Sequence, residues 1–252
     1  MTVQVRDDGP VRHILIDRPE RMNAVDAATL DRLADEITAA GVDPDVRVIV
    51  LSGNGRAFCA GGDLDVADPL SVENTERTAD AAARCITAIT AAPRPVVAVV
   101  RGPAVGVGVS LAVAADLAFV RSDTFFSMPF TSIGLMPDGG STALVAAAVG
   151  RATAMRMGLL GERLSARDAE RLGLVAAVFD PESFDAELES ALARLISYPQ
   201  EAVETTKFAL NDATLSELPD ALARERAGQI RLTTSDGFRD AIAAFTAGRA
   251  PR

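Results

Sequence analysis

Apolar positions recur along the chain with two alternating periods. Leu30, Leu33, Ala34 and Ile37 share one face at helical spacing, and Gly41 supplies a stop, so residues 26–40 are predicted to form a helix. "TVQVR" and "VRHILID" predict strands joined by the turn signal Asp8-Gly9-Pro10. "VRVIVLSG" (46–53) and "PVVAVVRG" (95–102) predict buried strands. A long helix is predicted between them, ending near residue 91, and a helix over about 105–115 and strands near 117–127 follow. Strand–helix alternation of this kind predicts α/β layering with parallel crossovers. From about 184 onward the pattern is mostly helical, which places a boundary near 190. Residues 1–190 then form an α/β core and 191–252 a helical tail. Phe238, Ile242 and Phe245 fall on one face of the last helix, a face that needs another surface to cover it.

Composition narrows the function. A net charge of −10 argues against a general binder of nucleic acid or anionic membrane. Twenty-four of the 25 basic residues are Arg and only Lys207 is Lys, so the basic chemistry is that of guanidinium, suited to phosphates and carboxylates. Cys59 and Cys85 have neither metal-ligand spacing nor the look of a disulfide framework, and "MTVQVRDDGP" lacks the regions of a signal peptide. A reducing, cytoplasmic setting is expected. The most apolar stretch, 103–120, carries Asp116, Pro103 and two glycines, which suits a buried helix and strand better than a membrane span.

Two junctions stand out as candidate chemistry: "VIVLSGNGRAFCAGGDL" and "VVAVVRGPAVGVGVSLA". Each leaves a buried strand through glycines and small residues toward a helix start, where backbone N–H groups are unpaired. Converging on one carbonyl oxygen, they would form an oxyanion hole. Tight turns with ordinary packing would show the same pattern. The sole histidine, His13, lies in a strand, which leaves a Ser-His-Asp triad or a multi-histidine metal site without support. The glycine spacing is not that of a dinucleotide fingerprint, and no P-loop Lys follows any glycine cluster.

In order and spacing, "IDRPERMNA" (16–24), "AFCAGGDL" (57–64), "RGPAVGVGVSLAVAAD" (101–116) and "GLMPDGG" (134–140) resemble the crotonase family, also called the enoyl-CoA hydratase/isomerase family. The likeness runs on through "GERLSARDAERLGLV" to "SDGFRDAIAAFTAGRAP". The resemblance implies an α/β fold, a crotonase-like spiral of ββα units with a helical C-terminal tail. It further implies assembly as a homotrimer or dimer of trimers and an acyl-CoA thioester substrate. No separate cofactor or metal is implied, CoA being part of the substrate. By position, the oxyanion N–H groups fall at Gly62 and Val107, the latter a site where the family commonly has Gly. Val at 107 is tolerable in a first helical turn but not where φ must be positive. CoA contacts are placed at Arg21, Met22, Ala60, Asp63 and Leu64, mostly through backbone. Arg21 equally suits a solvated loop, and Asp63 a turn or a helix cap.

The departures from the family pattern bear on the reaction. The two glutamates typical of hydratases are replaced by Ser110 and Phe130, which cannot form a carboxylate acid/base pair. Asp138 stands in a loop where some family isomerases carry their catalytic acid, yet it also precedes a helix it could cap. The expectation is a 3-enoyl to 2-enoyl-CoA isomerase using Asp138. The alternatives are a hydratase with atypical groups and a silent acyl-CoA-binding or structural subunit.

Overall fold

The computed structural model describes residues 2–65, 68 and 70–248, with side chains as far as residue 244. In chain order the elements are β1 (Val3–Asp8), β2 (Val11–Ile16), α1 (Ala27–Val42), β3 (Val48–Gly53), α2 (Val72–Ala91), β4 (Val96–Val100), β5 (Ala104–Val105), α3 (Val107–Ala114), β6 (Leu117–Arg121) and β7 (Phe125–Ser127). They continue as α4 (Ser141–Leu160), β8 (Leu164–Ser165), α5 (Ala166–Arg171), β9 (Ala177–Phe179), α6 (Phe184–Ser197), α7 (Gln200–Thr214), α8 (Leu218–Thr233) and α9 (Asp236–Gly248).

The main sheet runs β1-β2-β3-β4-β6-β9, antiparallel in the first hairpin and parallel thereafter. A small second sheet, β5-β7-β8, takes up the strands that follow β4 and β6, so the chain climbs as a spiral of strand pairs and helices. Consecutive strand residues point to opposite faces. Ile49, Leu51, Val96, Ala98 and Val100 enter the large core with α1, α2 and α3, whereas Val48, Val50, Val97 and Val99 enter a second cluster with Phe119. Both faces are covered, which is why these strands are apolar without alternation.

Packing of the C-terminal helices bears on two expectations. Phe184 and Leu188 of α6 close that cluster, with Ala191, Leu192 and Leu195 packed against it. The boundary near 190 therefore falls inside a helix that belongs to the core. Phe238 and Ile242 of α9 are buried within their own chain, and the backbone of Gly134 abuts that of Phe238. The predicted unpartnered face is thus covered internally at these two positions, because α9 folds back onto the short helical turn at Pro129–Ile133. Phe245 lies outside the described side chains.

Lys207, the single lysine, is buried in α7. Its Nζ lies 2.8 Å from Asp116 Oδ2 and donates to the carbonyls of Ile89 and Arg94. Asp116 also accepts from the Val96 N–H. Burial pushes the Asp116 carboxyl up and the Lys207 amine down, each opposed by the charge of the other.

Candidate active site

The two glycine-rich junctions are laced together side by side. Pro103 O accepts from the N–H groups of Phe58 and Cys59, and the Val105 N–H donates to Cys59 O at 2.9 Å. Positive φ calls for glycine where they touch, at Gly61 (φ +101°) and Gly106 (φ +56°), and a Cβ on Gly61 would stand only 3.1 Å from Val105 O. Val25 bonds to the residues flanking Gly62, donating to Gly61 O and accepting from the Asp63 N–H. The N–H of Gly62 therefore points away from Val25, and among the described residues it has no partner. Val107 opens α3, so its N–H belongs to the unpaired set at a helix start and is likewise unpartnered among the described residues.

Gly106 absorbs the left-handed turn before α3, and Val107 itself takes no positive φ. A β-branched residue is thus accommodated at this position, which answers the question its side chain raised. Gly62 and Val107 line one cavity of about 600 Å³, with Phe130, Leu135 and Phe238 among its apolar walls.

Four carboxylates line this cavity among the described residues: Asp26, Asp63, Asp68 and Asp138. Three are occupied elsewhere or exposed. Asp26 caps α1 by accepting from the Thr29 N–H, and Asp63 pairs with Arg18 at 2.7 Å. Asp68 is an exposed loop residue that accepts from the Leu70 N–H. Asp138 is held differently. Its backbone carbonyl accepts from Ser110 Oγ at 2.8 Å and from the Ser141 N–H. Its Oδ2 accepts from Gln229 Nε2 at 3.0 Å, while Oδ1 is buried without a partner among the described residues. Burial, reinforced by the nearby Glu225 carboxylate, pushes the Asp138 carboxyl up to about 7, and the Gln229 hydrogen bond opposes this.

The cap of α4 comes from elsewhere. Gly140 occupies the capping position and has no side chain to offer. Glu225, reaching across from α8, accepts from the N–H groups of Gly140 at 2.6 Å and Thr142 at 2.9 Å and from the Thr142 hydroxyl. A carboxylate at a helix N-terminus satisfies orphan donors and complements the helix dipole. The capping alternative for Asp138 is thereby removed, since its side chain makes no bond to α4. Ser110 is fully buried, and Gly139 packs so closely that a Cβ there would meet Ser110 Cβ and Oγ at 3.0 Å. Phe130 faces the cavity, its ring against Gly106.

Of the residues predicted to contact CoA, Ala60, Asp63 and Leu64 line the cavity. Arg21 is exposed and pairs with Asp65 beside it. Met22 adopts φ +53° and accepts from the Ala60 N–H. With Arg18 and the Asp65 N–H on its carboxylate, Asp63 acts as a turn latch, and its own N–H is taken by Val25. Sequence reasoning missed Asn23. Its buried amide accepts from the Arg18 N–H and donates to Asn54 O and Ala57 O, so it ties the 18–24 loop to the first junction. It also missed Glu225 and Gln229. The signal for both was present: they fall on the stripe Leu218, Ala221, Glu225, Gln229, Thr233, the inward face of α8.

The family model described as "Enoyl-CoA hydratase/isomerase" matches residues 7–252. A "Probable enoyl-CoA hydratase" from Rhodobacter capsulatus is 38% identical, covering 94% of this chain and 92% of its own length. A "1,2-epoxyphenylacetyl-CoA isomerase" from Escherichia coli is 32% identical, covering 96% of this chain and 94% of its own. A crystal structure of an enoyl-CoA hydratase from Mycobacterium avium subsp. paratuberculosis superposes with a TM-score of 0.90 at 42% identity, covering 96% of this chain and 98% of that one. The expected spiral fold with its C-terminal helices is the fold of these neighbours, and the chain belongs to the enoyl-CoA hydratase/isomerase family.

Proposed function

We propose that the protein is a 3-enoyl to 2-enoyl-CoA isomerase in which Asp138 carries the proton. The observation that supports this most is Asp138, which lines the cavity that Gly62 and Val107 also line and whose buried Oδ1, like the N–H groups of Gly62 and Val107, has no partner among the described residues. The thioester oxygen accepts from these two donors. Ionised Asp138 takes a proton from C2, and the electron pair of that C–H bond delocalises into an enolate held by the N–H pair. The same carboxyl group returns the proton at C4, and the double bond comes to rest between C2 and C3. No atom is gained or lost.

Water addition asks for more. A nucleophilic water must be placed and deprotonated, and the two positions that typically bear glutamates hold a buried serine turned to the Asp138 loop and an apolar ring. The relative named as an epoxyphenylacetyl-CoA isomerase is consistent with isomerase chemistry on this scaffold. In this reading, the loops around Arg21, Met22, Ala60, Asp63 and Leu64 hold the CoA portion, no metal or separate cofactor takes part, and the protein assembles as a homotrimer or dimer of trimers. Exposed Leu159, Leu160 and Leu210 provide apolar surface for such contacts.

Chromatography of purified protein with 3-enoyl-CoA and, separately, 2-enoyl-CoA tests the reading. Conversion of the 3-enoyl to the 2-enoyl thioester is expected, with little 3-hydroxyacyl-CoA. A predominant water adduct, or binding without turnover of either thioester, would overturn it.

A further inference from the structure

We infer that Gln229 is a positioning residue of the active site, clamping the carboxylate of Asp138 by Oδ2 so that Oδ1 alone is presented for proton transfer. The inference rests on the reading of Asp138 as the base.

An amide nitrogen has two hydrogens, and both are committed here. Nε2 of Gln229 donates to Met136 O at 2.7 Å and to Asp138 Oδ2 at 3.0 Å. The opposite orientation of the amide would place its oxygen against a carbonyl and a carboxylate, so the chemistry allows one orientation only. One side chain thereby fixes both the backbone of the loop, at Met136, and the carboxylate it carries. The other end of the amide is left with nothing, since Oε1 is buried and unpartnered among the described residues.

The surrounding helix is built for this approach. Gly228 lets α8 lie against the loop, because a Cβ there would fall 2.0 Å from Met136 Sδ. Glu225, one turn before Gln229, is locked to the start of α4 and fixes the helix in register. The charged group acting on Asp138 is Glu225 of α8, whose own charge is acted on by Arg224. From α3 come Ser110 and Val107, and from the first turn of α4 Ser141 and Thr142, all neutral. The Gln229 N–H therefore favours the ionised carboxylate against burial and Glu225.

Gln229→Met keeps the length of the side chain and removes the donor. Expected are a kcat lowered roughly 10- to 100-fold, a KM and a CoA-thioester affinity within about 2-fold of parental, and an acid limb of kcat/KM displaced to higher pH. Gln229→Glu, which adds a negative charge at the same length, should displace the limb further in the same direction. Parental kcat with an unmoved limb would overturn the inference. So would a uniform loss at every pH with an unmoved limb and lowered Tm, the signature of a merely structural amide. Asp138→Asn measured alongside separates the two ideas. If that variant keeps parental turnover, the assignment of Asp138 fails; if it is inactive while Gln229→Met is parental, only the role of Gln229 fails.

Discussion

Replacing Asp138 with Asn should move activity and stability in opposite directions. Burial and the nearby Glu225 carboxylate push the Asp138 carboxyl up to about 7 in the folded protein, against about 3.8 for a free aspartate. Between those values the native state holds more of the proton than the unfolded state does. Stability from this group is therefore greatest below about pH 4 and is lost as pH rises through about 7. The displacement of about 3 pH units corresponds to at most about 4 kcal/mol. Asp138 opens on a cavity that water can enter, so about 1–2 kcal/mol is the expected penalty above pH 7. Asn has the same shape, still accepts from Gln229 and never ionises. At pH 8 the variant should melt about 3–6 °C above the parent, and at pH 4 the difference should vanish. Isomerase turnover should fall roughly a hundredfold or more with CoA-thioester binding retained, while parental kcat/KM rises with pH through about 7. Thermal melts at the two pH values and steady-state kinetics check this. A variant with near-parental turnover, or one whose Tm difference is the same at both pH values, would refute the reasoning.

Three further outcomes follow from the same geometry. Ser110→Ala should cost no more than several-fold in kcat, because the hydroxyl holds only the Asp138 carbonyl; a loss of several thousandfold with binding intact would give Ser110 a chemical role. Glu225→Gln removes the negative charge that helps push Asp138 up, so the acid limb of kcat/KM should move to lower pH, read from a pH–rate profile. Lys207→Met leaves Asp116 without its cation and should destabilise the fold by about 3–5 kcal/mol in denaturant titrations, with thioester turnover per folded molecule unchanged.

What the sequence carried and what it hid divide along a physical line. Signals set by local backbone survive in one dimension. The apolar runs at 46–53 and 95–102 announce buried strands, and β3 and β4 lie there. The glycines at 61 and 106 announced a backbone without Cβ, and they are where the two junctions meet. Features set by tertiary contact leave no such local trace. Residues 184–197 show a helical pattern but not the sheet face it covers, which is why a boundary near 190 falls within α6. Phe238 and Ile242 gave an apolar face but not its partner, which is the chain's own turn at 129–133.

The ambiguity of Asp138 was of the same kind, and its resolution changes what the tail is for. Locally, an Asp before a helix is a cap, and no neighbour in sequence says otherwise. The cap is Glu225, more than 80 residues downstream, and the group that orients the carboxylate is Gln229, 91 residues downstream. Both sit where an amphipathic helix normally buries apolar side chains, and a polar residue there is tolerated only with a partner. Two such residues one turn apart, on a helix whose other inward positions are Leu218, Ala221 and Thr233, point to a polar target on the element facing them. That target is the loop bearing the carboxylate and the start of the helix behind it. Helix α8 therefore holds the Asp138 loop and the start of α4 within a single chain, and in the proposed mechanism it belongs to the catalytic apparatus. Truncation before α8 would remove the cap and the clamp together, even with every residue of the two glycine junctions in place.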